Sequence, residues 1–445
     1  MQGVSLIQSR FAVALLSAVV IIQLFLLLGN RDAIIPERAW PGSHPRKQTD
    51  TSSSPPSTNT TSPPPPSSPW TFNSTRDARN PALTYEQCTV AFPKLYHEIE
   101  RSATYWKHTR NHSISAKDVN ITWTGKGGLR VLIYENELRI LETRDIHHFR
   151  DGHDARRAIF VLSQIHRALL GATARGEQVP NIEFAIAVND YAHLPDERGD
   201  SHAVWTFDRR IASDKDERMW LMPDFNFWAW KPTGSAYEDA RRRAMTHDSA
   251  VKEKIPKIVW RGNRHINPEV RKALIETGKG KEWADVEGGW LDIADFCRYL
   301  FAVYTEGHSW SGRLKYLLNC DTVAIVHELE FTTSFYHLLN PSGPDQNYIQ
   351  VKRDWSDLEE KVKYHLERPE HTQRIIQNSI KTFRERYTTP AAEACYWRRM
   401  FRAYREVAFE PDAFEEKTIN TFGSTETVRH LRGTPYELFI GIDRP

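Results

Sequence analysis

Residues 304–327 read YTEGHSWSGRLKYLLNCDTVAIVH: a loop rich in glycine and hydroxyls, a short apolar run at helical spacing, then a β-branched run of strand length. Loop, helix and strand in that order make one repeat of an α/β sheet. Leu314, Leu317 and Leu318 anchor the helix. Ahead of them the fixed cation Arg313 stands at the loop–helix junction with Gly307, Ser309 and Ser311. There, main-chain amides and a guanidinium can share the charge of a phosphate group. A turn glycine and a solvated helix arginine would explain the same residues, so the phosphate reading needs support from elsewhere in the chain.

Working outward, the same alternation recurs. Leu129–Tyr134 reads as a strand, and Leu138–Leu141 can pair with it across the intervening turn. A helix begins at Asp154 and places Ile159, Leu162, Ile165 and Leu169 on one face. Ile182–Val188 is a buried strand ended by Asn189 and Asp190. A carboxylate at the carboxyl end of a strand is a common site of chemistry in such sheets. Further on come a strand at Lys257–Trp260, a helix at Val270–Ile275 and strands at Thr322–His327 and Tyr348–Val351. Helices are predicted at Trp355–Leu366, Pro369–Arg386 and Tyr396–Val407. The pattern predicts an α/β fold of two Rossmann-like lobes with a ligand cleft between them, the boundary falling near residues 245–255.

The chain has 445 residues and a formal net charge of +2, from 59 basic and 57 acidic side chains. No basic stripe accompanies the aromatic residues, and Arg241–Arg243 reads as a solvated face, so nucleic acid is not an expected partner. Residues 11–28 carry no formal charge over 18 positions, and 11–29 are expected to be a transmembrane signal-anchor after a short tail at 1–10. Residues 30–79, rich in Pro, Ser and Thr, read as an extended stem. These features predict a single-pass type II membrane protein of the Golgi or endoplasmic reticulum with its body in the lumen. Sequons at Asn59, Asn73, Asn111 and Asn120 agree with that compartment. Four cysteines are present, Cys88, Cys297, Cys320 and Cys395, with no CxxC pair and no pattern for a zinc site. An oxidising compartment permits two disulfides in any of three pairings; free buried cysteines are the alternative.

Six separated segments converge on one family. They are AIAVNDYAHLP at 185–195, MPDFNFWAW at 222–230, IVWRGNRHINPEVR at 258–271, the stretch 296–327, YIQVKRDWSDL at 348–358 and CYWRRMFRAY at 395–404. In order and spacing the chain resembles the CAP10-like protein O-glucosyltransferases, glycosyltransferase family 90, over roughly residues 85–405. The resemblance implies the GT-B arrangement of two facing lobes: an acceptor-side lobe at 80–250, a donor-binding lobe at 251–390 and a C-terminal helix and tail at 391–445. It also implies inverting transfer of glucose or xylose from UDP-glucose or UDP-xylose to a hydroxyl of a secretory glycan or glycoprotein, with no metal and no cofactor.

The resemblance further assigns roles. Asp190 matches the family's catalytic aspartate and would take the proton of the acceptor hydroxyl. Arg313 matches the arginine that stabilises departing UDP. Arg261, Gly262 and Arg264 would meet the donor with Gly307, Ser309 and Ser311, Ser311 aligning better with the WSGR pattern. From the residues themselves, Asp224, Phe227 and Trp228 can form an acceptor wall, since flat rings pack on apolar sugar faces, with Asp224 the rival base; a hydrophobic wall with Asp224 capping a turn is the alternative. Where the family often carries an arginine before the catalytic aspartate, this chain has Asn189. Cys297–Cys320 and Cys88–Cys395 are the implied disulfides. Two other functions fit the same residues: a β-xylosyltransferase of cell-surface polysaccharide, and an inactive membrane-tethered glycan-binding protein.

Overall fold

A computed structural model describes residues 70–109, 114–145, 152–195, 202–421 and 424–441. From residue 68 onward the chain forms one compact unit. Two sheets organise it. The first has six strands, in the spatial order Thr434–Pro435, Glu137–Arg144, Gly128–Tyr134, Ile182–Ala187, Val204–Thr206 and Trp220–Leu221. Gly128–Tyr134 is antiparallel to both of its neighbours, and the last three strands run parallel. The turn between Gly128–Tyr134 and Glu137–Arg144 is made by Glu135 and Asn136, both at positive φ (50° and 65°). Two successive left-handed residues match the twist of a tight hairpin, which leaves no room for a crossover helix.

The second sheet is wholly parallel. Its spatial order is Ala284–Gly288, Ile255–Gly262, Tyr299–Tyr304, Val323–His327 and Ile349–Val351. Alternate residues face opposite sides, and both sides are buried. Val259, Ala302, Tyr304, Ala324 and Val326 join the main core, while Ile258, Trp260, Phe301, Val303, Val323 and Ile325 join a second one. The second core is closed by Val270, Leu274, Leu358, Val362, Ile375 and Ile376. Burial on both faces is what helices on both sides of a parallel sheet impose.

These observations correct the expected pair of Rossmann-like lobes around an interlobe cleft. The first sheet is mixed, because a hairpin replaces its first crossover. The main core also runs without a break from Leu129, Val131 and Phe184 of the first sheet to Ala302, Tyr304 and Val326 of the second. A short ribbon, Asp208–Arg210 antiparallel to Phe331–Thr333, joins the halves as well.

The membrane expectation is corrected too. Among the described residues no helix is long and apolar enough to cross a membrane. The 21-residue helix His153–Thr173 has the length but carries Asp154, Arg156, Arg157 and Arg167. Residues 11–29, on which the anchor was read, lie outside the described residues. The single-pass type II topology, the membrane partner and the Golgi or endoplasmic reticulum placement are therefore not carried forward.

Both disulfides are present as paired above. Cys88–Cys395 ties the helix Tyr85–Ala91 to the helix Pro390–Arg405, and Cys297–Cys320 closes the segment that holds Arg313. Trp70 and Phe72 pack on the main core. Asn73 is exposed and caps the turn Ser74–Asp77, whereas the Asn120 amide donates to the Lys117 carbonyl at 2.7 Å. Asn59 and Asn111 lie outside the described residues.

Candidate functional site

In the parallel sheet the direction of winding reverses between Ile255–Gly262 and Tyr299–Tyr304. Loops leaving the carboxyl ends of those two strands part to opposite sides, and the crevice they leave is where doubly wound sheets receive ligands. Two arginines bridge it. Arg271, on the helix Pro268–Gly278 after the first of these strands, donates from Nε to the Glu306 carbonyl and from Nη1 to the Asn263 carbonyl, both at 3.0 Å. Arg313, after the other strand, donates from Nη1 to the Arg261 carbonyl at 2.5 Å. Their guanidinium groups lie over aromatic rings, Arg271 at 6.0 Å from Trp260 and Arg313 at 5.6 Å from Phe296.

Among the described residues neither guanidinium meets a carboxylate, and Arg313 Nε has no hydrogen-bond partner. Burial lowers the pKa of Arg271. Burial first, and then the Arg271 cation, draw Arg313 down to about 10, with Tyr304 opposing. Two cations that disfavour one another and lack an acid form a site that a polyanion would complete. The one nearby carboxylate of the loop, Glu306, is turned away: it accepts the Glu330 and Phe331 amides and pairs with Arg353 at 2.6 Å.

The other expected donor residues fall around this crevice unequally. The Arg261 guanidinium is already paired with Asp285 at 2.6 Å and Glu287 at 3.2 Å, so only its carbonyl reaches Arg313. Gly262 ends its strand, and a Cβ there would stand 2.9 Å from the Trp260 ring. Arg264 is exposed and borders a cavity of about 650 Å³ with Gly262, His265 and Glu287. The Gly307 amide donates to the Ser309 carbonyl at 2.9 Å, and a Cβ on Gly307 would lie 3.5 Å from Arg271 Nη2. The Ser311 amide donates to the Tyr304 hydroxyl at 2.9 Å. Ser309 is buried, and its hydroxyl donates to the main-chain oxygen of Asp190 at 2.5 Å.

That last contact joins the loop of Arg313 to the end of the strand Ile182–Ala187. The Asp190 side chain is 49% exposed, and Oδ1 is held by Arg157 Nη2 at 2.6 Å. Arg157 also donates to the Val188 carbonyl at 2.9 Å and lies 4.8 Å from the Phe225 ring. Among the described residues the second Asp190 oxygen makes no hydrogen bond. A cavity of about 530 Å³ flanks the residue, lined by Trp123, Lys126, Asn189, Tyr191 and His193.

The expected acceptor wall is mostly interior. Asp224 is buried, caps the turn Phe225–Phe227 and receives Lys315 Nζ at 2.6 and 2.8 Å. Burial brings Lys315 down to about 8 against the pull of Asp224. Phe227 packs on Tyr237 and Phe335 with Lys315 over its ring, and partly exposed Trp228 stacks under Arg167. A Cβ on Gly312 would overlap the Asn226 amide at 1.8 Å, so the two segments interlock. Sequence reading missed Arg271, Arg157 and the burial of Lys315. Only the glycine beside Arg313 hinted at close packing. Among the described residues no cluster of three or more His, Cys, Asp or Glu is placed to hold a metal.

The comparisons with known proteins agree with the resemblance. The family model described as "Glycosyl transferase family 90" matches residues 86–417, and the chain belongs to that family. It is 32% identical over 116 residues to Protein O-glucosyltransferase 3 of Rattus norvegicus, covering 26% of this chain and 22% of the relative. It is 25% identical over 271 residues to Protein O-glucosyltransferase 2 of Danio rerio, covering 54% and 50%. It is 22% identical over 260 residues to O-glucosyltransferase rumi of Drosophila pseudoobscura pseudoobscura, covering 51% and 61%. The chain thus spans between about a fifth and three fifths of the relatives it matches.

Proposed function

We propose that this chain is an inverting glycosyltransferase that moves glucose or xylose from a UDP-sugar to a hydroxyl of a glycan or glycoprotein. One observation carries the reading: Arg271, on its helix, and Arg313, on a loop fastened to Asp190 through Ser309, face the crevice at the switch point of a parallel sheet with no acidic partner among the described residues. The crevice takes the donor. Arg313 and Arg271 neutralise the diphosphate and stabilise the charge that grows on it as the anomeric bond breaks.

Asp190 is the base. Arg157 grips one of its oxygens, and the other accepts the acceptor's proton as the new carbon–oxygen bond forms. One in-line displacement inverts the anomeric carbon: the acceptor oxygen bonds to it, the bond to the diphosphate oxygen breaks, and UDP leaves with the electron pair. The Arg157 pair orients the carboxylate, standing in for the arginine that is absent at Asn189. The names of the relatives favour glucose; xylose remains the competing donor.

The test is UDP release by the full chain with UDP-glucose or UDP-xylose and a panel of glycan and glycoprotein acceptors. Sugar-selective, acceptor-dependent release, lost in D190N and R313M, is expected. UDP binding without release on any acceptor would overturn the transferase reading in favour of a binding protein.

A further inference from the structure

We propose that Asp208 is a positioning residue: a buried carboxyl that donates a hydrogen to Ser309 and so holds the 304–313 loop against the main chain of Asp190. Asp208 lies on the ribbon that joins the two halves and is 1% exposed. Its Oδ2 is 3.3 Å from Ser309 Oγ, which is itself 2.5 Å from the Asp190 carbonyl oxygen.

Counting hydrogens supports the arrangement. A serine hydroxyl has one hydrogen, and a main-chain oxygen can only accept. At 2.5 Å the Ser309 hydrogen must lie between Ser309 and Asp190, because otherwise two lone-pair oxygens would face each other. With that hydrogen committed, a hydrogen bond between Asp208 Oδ2 and Ser309 Oγ at 3.3 Å takes its hydrogen from the carboxyl, which an ionised carboxylate lacks. The chain runs from the Asp208 O–H to Ser309 Oγ, and from the Ser309 O–H to the Asp190 oxygen.

The surroundings agree. Among the described residues Asp208 Oδ1 has no hydrogen-bond partner, and no cation reaches the carboxyl. On its own strand Arg209 is turned to Glu98 and Glu217, and Arg210 to Asp216. Arg157 is taken by Asp190. Asp216, from the neighbouring turn, is held by Arg210, Tyr191 and Ser213. The partner strand presents Thr333 opposite Asp208, and the loop presents Ser309 and Trp310. Burial raises the Asp208 pKa well above the carboxylate range; Ser309 and Trp310 oppose the rise, and the charges of Asp190 and Asp216 add to it.

The effect on transfer rests on the reading of Asp190 as base; the protonation does not. The test uses the full chain as wild type, D208N, D208A and S309A. A folded state that keeps this proton loses stability as pH rises from the unfolded carboxyl pKa through the folded one. Wild type should therefore lose melting temperature across that window relative to D208N, whose amide donates without titrating. A protonated-carboxyl infrared band, present in wild type at neutral pH and absent in D208N, should accompany it. In UDP release D208N should match wild type and lack its alkaline fall, while D208A and S309A lose about tenfold to hundredfold. Parallel melting slopes for wild type and D208N, or the same infrared band in both, would overturn the proposal whether or not any protein transfers sugar.

Discussion

Arg313 and Lys315 are two residues apart on one turn, yet they meet opposite surroundings. Lys315 is buried with its carboxylate: Asp224 lies 2.6 Å away, and the pair locks the 222–230 segment under the loop. Arg313 meets a carbonyl oxygen and a second guanidinium's field, with no acid among the described residues. Burying a charge is tolerable when a partner or a ligand compensates it. Lys315 has its partner within the fold, so it serves the structure. Among the described residues Arg313 and Arg271 lack one, as the proposed role of receiving a diphosphate requires.

The largest effect should come from breaking the compensated pair. K315M leaves Asp224 buried without a counter-charge and should cost about 3–5 kcal/mol in denaturant unfolding. The double variant K315M/D224L should regain most of that loss, since an apolar pair leaves no orphaned charge. R313M reverses the pattern. It should leave the melting temperature near wild type and slow UDP release by about a hundredfold to a thousandfold, the loss seen when a transition-state donor is removed. A stability loss in R313M as large as in K315M would erase the contrast.

C297S comes next. It opens the bridge that closes the segment carrying both residues. About 2–4 kcal/mol of stability should be lost, and UDP release should fall because the Arg313 loop is no longer restrained. The smallest effect concerns the floor of the same loop. His327 accepts the Glu306 amide at Nε2 and donates from Nδ1 to the Glu328 carbonyl, so it is neutral. Burial brings its pKa down to about 4. An unfolded histidine titrates near ~6.5, so the folded chain binds fewer protons in that window. Stability should therefore be full above that value and fall as pH drops from it toward 4, and H327Q should flatten this fall in melting temperature against pH.

Much of the site-bearing sheet was legible. The runs at 257–260, 322–327 and 348–351 are β-branched and bounded by turn residues, and each became a strand of the parallel sheet. The hairpin at 129–141 was legible for the same reason, but its consequence was not. Antiparallel pairing of Gly128–Tyr134 with Ile182–Ala187 depends on partners about fifty residues away, which periodicity does not report. The short strands Val204–Thr206 and Trp220–Leu221 are too brief to show a period.

In the site, Arg313 stood out because glycine and serine flank it. Arg271 and Arg157 look like solvated helix arginines in the sequence, and Lys315 like an exposed one. What separates them is contact: with the Glu306 carbonyl for Arg271, Asp190 for Arg157 and Asp224 for Lys315. Arg261, which sequence placed beside Arg313, is satisfied by Asp285 and Glu287 and so belongs with Lys315 rather than with Arg313.

Calorimetric titration of UDP into wild type, R271M, R313M and R261M tests the contrast most directly. R271M and R313M should each weaken binding by about tenfold to hundredfold at unchanged melting temperature, and R261M should bind nearly as wild type does. UDP affinity that survives in folded R271M and R313M but collapses in R261M would contradict the account and move the diphosphate to the other side of the crevice.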